Sequence, residues 1–524
     1  MDRAHVLALA DRLSIVVEHD FLSDPDLPAF RRSDAYRAIG ALWRAQAAGE
    51  PIDVEDARLA RQYSLPTYIL YLRDQQAFRN VQKLRGPYND PMVDVPALRK
   101  YMATFFNLNY SSAFSRLMES HFASDDAMKT VEGVERFVAY QGRIVEDREF
   151  AFRNPVDGGM RKARDSWLFY GRGIYMFGGP NPFFVITAGA GQKVIAAYVP
   201  KLALIVDFCA GNAQFLTPAM MARTFGVHIR RLAAHPESYN AAIRQNEDEI
   251  VKTDMVLAMG QIDNFAHHLW NHFPSLDRFV SAGLAGNVDR LLSFGTEFFG
   301  SISDLYPEFA DRHAHSMKKT TIDEKPFDPS FLVLQPGGYF VSDSLKDRLL
   351  ARARQYVGGQ ATAADRPVVW IGLRFGSRSW VRQEQEVVKI IAALHKQDPS
   401  TVFVLDGFTC PVGEDYITDQ WQSTIDRIKE IVATIKAKAP KGSEVIDLVG
   451  ADLFEAILWA RRTDVYLAPI GTTQHKVGWF STGRGLIYSA PGIEKTRALR
   501  RPGCWEAESI IPANYVIGSV AKKR

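Results

Sequence analysis

The chain predicts an α/β protein with an added N-terminal helical domain, and three observations carry that expectation. Apolar residues recur at three- and four-residue spacing through residues 1–155, in segments such as DAYRAIGALWRAQ and VPALRKYMATFFNL. From about 156, short β-like runs are split by glycine turns, as in WLFYGRGIYMFGG and PFFVITAGAGQKVIAAYV. From 331 onward strand and helix signals alternate, the pattern of a parallel sheet covered by helices. The expected domains are therefore 1–155, 156–330 and 331–524. A chain of 524 residues accommodates three or four units at ~100–200 residues each.

Within the helical part no period of 20–50 residues stands out as a repeat, and its function is not legible. In the middle part, ITAGAGQKV lacks both the GxxxxGK[ST] of a phosphate loop and the full GxGxxG of a dinucleotide fold, so a hairpin turn is the better reading. The stretch MGQIDNFAHHLWNHFPSLDRFV is unusually rich in aromatic residues and histidine. The polar passage HAHSMKKTTIDEK, 313–325, reads as a connector leading to a domain boundary near 330. Beyond it come PVVWIGL, TVFVLD, EVIDLV, DVYLAP and GLIYSA, apolar throughout as strands buried on both faces must be. Between the first two, Val387, Ile390, Ile391 and Leu394 form one helical stripe.

Bulk composition narrows the function classes. Hydrophobic residues make up 47% and charged residues 23%, a composition that folds throughout. Lys and Arg total 63 against 60 Asp and Glu, a formal net charge of +3 with no basic block, which argues against a nucleic-acid binder. Cys209, Cys410 and Cys504 form no CxxC pair, suggesting a reducing compartment and no zinc knuckle. The N-terminus lacks the apolar core of a signal peptide. The apolar stretch 182–208 is broken by Gln192, Lys193, Pro200 and Lys201, short of the ~20 uninterrupted apolar residues of a membrane span. The expectation is a cytoplasmic protein without a transmembrane segment, with peripheral membrane contact left open.

In an open parallel sheet, ligands bind beyond the carboxyl ends of the strands. Those positions hold Arg374 to Arg378, Asp406-Gly407, Gly450 to Asp452, and Pro469 to Lys476. Arg374 and Arg378 offer guanidinium forks to a diphosphate, each charge-assisted hydrogen bond contributing ~1.5–3 kcal/mol. Gly471 permits close backbone approach, and Thr472 or Thr473 can cap the next helix, whose free amides attract an anion. A single such arginine reads better as a surface salt bridge; the whole set reads as a site. A metal-dependent transferase would carry DxD after an apolar strand, whereas TVFVLDGF has the lone Asp406. His268 and His272 have i, i+4 spacing but no Glu in the place an HExxH zinc site requires. Any one histidine of the 267–272 cluster reads equally well as a core residue with satisfied hydrogen bonds, and His313 and His315 read as solvated.

Two segments resemble glycosyltransferases of the family 61 type, a GT-B group. Asn264-Phe-Ala-His267, followed by Leu269 and Pro274-Ser-Leu276, is similar to that family's Asn, aromatic, small residue, His, Pro-x-Leu pattern. Arg374 to Glu386 resembles its arginine-rich strand exit, and Thr463 to Thr472 its Ala-Asp-Val-x-x-Gly-Pro-His-Gly-Ala signature. Ile470 stands where the family has His, Thr472 where it has a small apolar residue, and Glu455 lies out of register with its helix Gln. The resemblance covers about 250–495. It implies a GT-B-like pair of Rossmann-like domains, 156–330 on the acceptor side and 331–524 on the nucleotide-sugar side.

It implies further a donor cradle of Arg374, Arg378, Gly471, Thr472 and Thr473, faced by His267 across the cleft. The expected partners are a nucleotide-sugar donor and a glycan or glycoconjugate acceptor, in surface polysaccharide or glycoconjugate synthesis, without metal or cofactor. An inverting transfer needs a base with pKa near neutrality, for which His267 is the first candidate and Asp263 the second. The competing class is a catalytically silent carbohydrate- or partner-binding protein of the same fold. An oxidoreductase is weakened because no strand is followed by GxGxxG.

Overall fold

The computed structural model describes residues 27–83, 141–157, 159–169, 171–188, 192–207, 216–246, 249–250, 254–259, 264–316, 326–338, 341–359, 365–376, 379–413, 418–489 and 514–517. It is a mixed α/β fold with one largely antiparallel and two parallel sheets.

Helix α1 (Asp34–Ala48) starts where the Ser33 hydroxyl accepts the Tyr36 amide at 3.2 Å and stops at Gly49, whose φ of 74° turns the chain out of the helix. It is followed by α2 (Val54–Ala60) and α3 (Leu65–Asp74). The chain then adds strand β1 (Asn80–Lys83) to a seven-stranded sheet. The other strands are β2 (Ala151–Arg153), β3 (Met160–Phe169), β4 (Arg172–Phe177), β5 (Phe183–Ala188), β6 (Lys193–Val199) and β7 (Leu204–Asp207), in the order β1-β7-β6-β5-β4-β3-β2.

Strands β5 and β6 pair antiparallel on either side of the Gly-rich segment, as a hairpin requires. Alternation along β5 explains why the run is apolar on both sides. Phe184 and Ile186 join Trp43, Tyr71 and Phe225 in one core, while Phe183 and Val185 join Met255 and Leu257 in another. The first core is closed by the N-terminal helices and α4 (Pro218–Ala234). Those helices thus share a core with the sheet. Among the described residues no helix is long and apolar enough to cross a membrane.

The second sheet is parallel, in the order β10-β9-β8-β11, from β8 (Asp254–Met259), β9 (Arg290–Phe294), β10 (His313–Ser316) and β11 (Phe331–Leu334). Two expectations are corrected here. His313–Ser316 is an edge strand paired with β9 instead of connector, while 317–325 lie outside the described residues. Polar residues suit an edge strand, because one side of it needs no packing partner. The boundary placed near 330 falls just before β11, which pairs with β8 and so belongs to this sheet.

Between β8 and β9 run α5 (Phe265–His267), a π-helical turn (His268–His272) and α6 (Phe273–Ser281). After β11, α7 (Asp343–Val357) leads to the third sheet. Its six strands are β12 (Val368–Gly372), β13 (Val402–Asp406), β14 (Glu444–Asp447), β15 (Val465–Pro469), β16 (Arg484–Ser489) and β17 (Asn514–Ile517). All are parallel, in the order β14-β13-β12-β15-β16-β17, which counted from β12 is 3-2-1-4-5-6, the doubly wound arrangement. Helices α8 (Gln383–Gln397), α9 (Asp419–Lys438), α10 (Leu453–Arg462) and α11 (Thr472–Phe480) connect successive strands. Val387 and Ile391 of α8 are fully buried, with Ile390 and Leu394 packed beside them, as the stripe predicts.

Candidate functional site

Strand order reverses between β12 and β15, so their connections leave in opposite directions and open a crevice beyond their carboxyl ends. A cavity of about 240 Å³ lies there. Its polar wall holds Arg374 from the β12 exit, Thr409 from the β13 exit, Thr472 and Thr473 from α11, and Asn264 from the β8 exit. Phe265, Phe298, Phe375, Phe408 and Trp421 supply an aromatic wall. The Phe408 and Trp421 rings lie 5.6 Å apart, and Phe298 and Trp421 6.0 Å.

Two glycines make this geometry. Gly471 has φ 120° and ψ −151°, a region essentially restricted to glycine. A Cβ on Gly372 would lie 2.8 Å from Pro469 and 2.9 Å from the Thr473 methyl, so only glycine lets α11 sit this close to β12. Gly471 itself occupies the cap position, and α11 has no side-chain cap. That corrects the expected capping role of Thr472 and Thr473, which lie inside the first turn. The Thr472 hydroxyl instead accepts the Asn264 amide at 3.1 Å, a link between the two parallel sheets' loops. Gly471, having no side chain, gives the first amides of α11 no capping acceptor, a condition that suits an anion at a helix start.

Arg374 is held through its backbone. Its amide donates to the Gln383 side-chain oxygen at 3.0 Å, and the Gln383 side-chain nitrogen donates back to its carbonyl at 3.1 Å. Arg374 also borders a second cavity of about 560 Å³ with Trp380, Arg382 and Arg427. Arg378 and Asp263 lie outside the described residues. Gly450 follows β14 at the same sheet edge but packs against Ile425 and Lys429, away from the cavity.

Asp406, at the end of β13, is fully buried and accepts from Lys476 Nζ at 2.7 Å. Lys476, also fully buried, donates in addition to Thr409 Oγ1 at 3.1 Å. Burial lifts the Asp406 carboxyl to about 6 against the opposing pull of Lys476, and burial likewise lowers the Lys476 ammonium. The sequence reading singled out Asp406 and passed over Lys476 and Thr409. A signal existed, since an apolar strand ending in a lone carboxylate needs a buried cation, and Lys476 leads directly into the apolar run Val477-Gly-Trp-Phe480.

His267 is exposed and does not line the cavity; its Nδ1 is 2.9 Å from the Asn271 side-chain oxygen. It begins a row of stacked rings, with 5.7 Å to Trp270, 6.4 Å from Trp270 to His475 and 4.8 Å on to Trp479. Burial, reinforced by His267, lowers His475 to about 3. His268 and His272 are both core residues, and their Nδ1 atoms have no hydrogen-bond partner. Burial holds His268 down to about 4 and His272 well below its ordinary value. Among the described residues no group of three or more His, Cys, Asp or Glu is arranged to hold a metal.

The expectation of a solvated His313 is also corrected. Its side chain is 5% exposed, with Nε2 2.9 Å from Ser293 Oγ and 3.2 Å from Glu297 Oε1. Ser293 donates to Glu297 at 2.7 Å, and His315 Nδ1 lies 3.1 Å from the same hydroxyl. Burial pushes the Glu297 carboxyl up, but the hydrogen bonds from His313 and Ser293 outweigh it and hold it below the usual value. This cluster anchors the loop whose Phe298 faces the cavity and whose carbonyl accepts the Val412 amide at 3.1 Å.

Comparison of the chain with protein-family models and with curated proteins found no match.

Proposed function

We propose that the protein is a metal-independent glycosyltransferase of the GT-B kind, transferring sugar from a nucleotide-sugar donor to a glycan or glycoconjugate acceptor, in the synthesis of a surface polysaccharide or glycoconjugate. One observation carries this reading. The exits of β8, β9, β12, β13 and β15, from two different parallel sheets, all contribute to one cavity at the strand-order reversal. In this reading Arg374 and the α11 amides neutralise a leaving diphosphate, and the aromatic wall takes a flat ring.

In the transfer, the acceptor oxygen bonds the anomeric carbon while the bond to the diphosphate breaks, its electron pair leaving with the nucleotide. A base removes the acceptor's proton. His267 is first in that role, at the start of the ring row that runs through Trp270 to His475 of α11, and Asp263 second. Asp406 is taken by Lys476 and buried, which supports a donor site neutralised by cations of the chain. The test is a panel of nucleotide sugars measured by melting temperature and by turnover in excess EDTA. A donor that raises the melting temperature and is consumed supports the reading. Binding without turnover would favour the silent binding protein, and activity restored only by manganese would overturn metal independence.

A further inference from the structure

The cavity floor contains a device that the transfer chemistry above does not use. Lys476 Nζ stands between Asp406 Oδ1, at 2.7 Å, and Thr409 Oγ1, at 3.1 Å. Both ions are 0% exposed, and Thr409, 8% exposed, is the member that borders the cavity. The ammonium also lies 5.8 Å from the Phe265 ring and 5.9 Å from Trp370. Asp406 Oδ2 has no hydrogen-bond partner.

Removing two charges from water costs more than their attraction commonly returns, so stability alone is a poor reason for this pair. Its geometry offers another. A hydroxyl has one proton and two acceptor positions. With an ammonium donating into Thr409 Oγ1, the hydroxyl is polarised and its proton must turn away from Lys476. The cavity is where Thr409 is open, beside Arg374, Thr472 and Thr473.

We propose that Thr409 is a further ligand-binding residue of this cavity, and that the Asp406–Lys476 pair is a positioning device turning the Thr409 hydroxyl proton toward a phosphate oxyanion. The inference rests on the phosphate-site reading of the proposed function and deepens it. Charge-assisted hydrogen bonding of this kind changes affinity by about tenfold or more.

The experiment is calorimetric titration of the full chain with inorganic pyrophosphate. Thr409→Val keeps shape and removes the hydroxyl; Thr409→Ser restores it. The expected result is a loss of about tenfold for Thr409→Val and near wild-type affinity for Thr409→Ser. Replacing both ions, Asp406→Leu with Lys476→Met, avoids leaving one charge buried alone. In that background Thr409→Val should cost distinctly less than in the wild type, the mark of coupling. Equal losses in the two backgrounds would overturn the positioning role. Unchanged affinity in Thr409→Val, with binding lost in Arg374→Ala, would overturn the inference and leave the phosphate site standing. Failure of the wild-type protein to bind pyrophosphate would overturn the phosphate-site reading itself, and this inference with it.

Discussion

Acid should unfold this protein through histidines kept neutral in its core, and His268 allows the effect to be isolated. Its ring packs 4.7 Å from Phe273, 6.1 Å from Phe298 and 6.3 Å from Phe299, with His272 at 5.8 Å. Burial lowers it from 6.5 to about 4; Glu297 opposes that shift and His315 adds to it. The unfolded chain therefore takes up a proton at a pH where the folded chain does not. Stability is full above about 6.5, falls as the pH drops below it, and stops falling from this cause near 4, where the folded form protonates too. Over the two pH units from 6.5 to 4.5 the loss is about 2 kcal/mol, a large part of a total stability of ~5–15 kcal/mol. His268→Phe replaces the ring with one that does not titrate, in a site already walled by phenylalanine. Urea unfolding of both proteins at pH 7 and 4.5 measures the difference. The variant should lose about 2 kcal/mol less than the wild type over that interval. Equal losses would mean that His268 is not held neutral and that its burial has been misjudged.

Gly471→Ala should destabilise the chain by ~1–3 kcal/mol in urea unfolding, because φ 120° is strained for any residue with a Cβ. Arg374→Ala should weaken nucleotide-sugar binding by about tenfold or more with little change in melting temperature, since its half-exposed side chain adds little to the core. His267→Ala should lower kcat by ~10²–10⁴-fold while leaving donor affinity and melting temperature near wild type; a fall in activity that only follows the folded fraction would remove it as the base. Glu297→Gln should lower stability at neutral pH and flatten its acid dependence. The depressed carboxyl contributes stability above its unfolded pKa and loses it as pH falls through the folded one, and urea midpoints from pH 3 to 7 read that slope.

The third sheet was legible because its central strands β12 and β13 are apolar runs buried almost throughout and α8, between them, carries a 3.6-residue stripe. Both signals are local, as Val387 and Ile391 illustrate. The second sheet was harder. Its edge strand His313–Ser316 has no apolar pattern, since polar contacts to Ser293 and Glu297 hold it, and those partners lie about twenty residues back in the chain. The N-terminal helices were readable as helices, but not as the cover of one face of a sheet. That follows from Phe225 and Tyr198 meeting Trp43, contacts that span more than 150 residues.

The same distinction between local and distant signals separates the parts of the site. Arg374, Gly471, Thr472 and Thr473 could be placed at one edge because strand exits in a parallel sheet share an end, and the structure brings Arg374, Thr472 and Thr473 into one cavity. What completes that cavity comes from elsewhere: Asn264 reaches Thr472 across 208 residues of sequence, and Phe298 accepts from Val412. No periodicity encodes such meetings. They join loops of two sheets, so a change in one sheet's loop is felt at the other. Replacing Asn264 by Ala would leave the Thr472 hydroxyl without its donor, while the apolar core that runs through both sheets stays in place. The loops at the cleft add a few polar contacts above that shared core, and those contacts are where substrate binding can be altered without unfolding the chain.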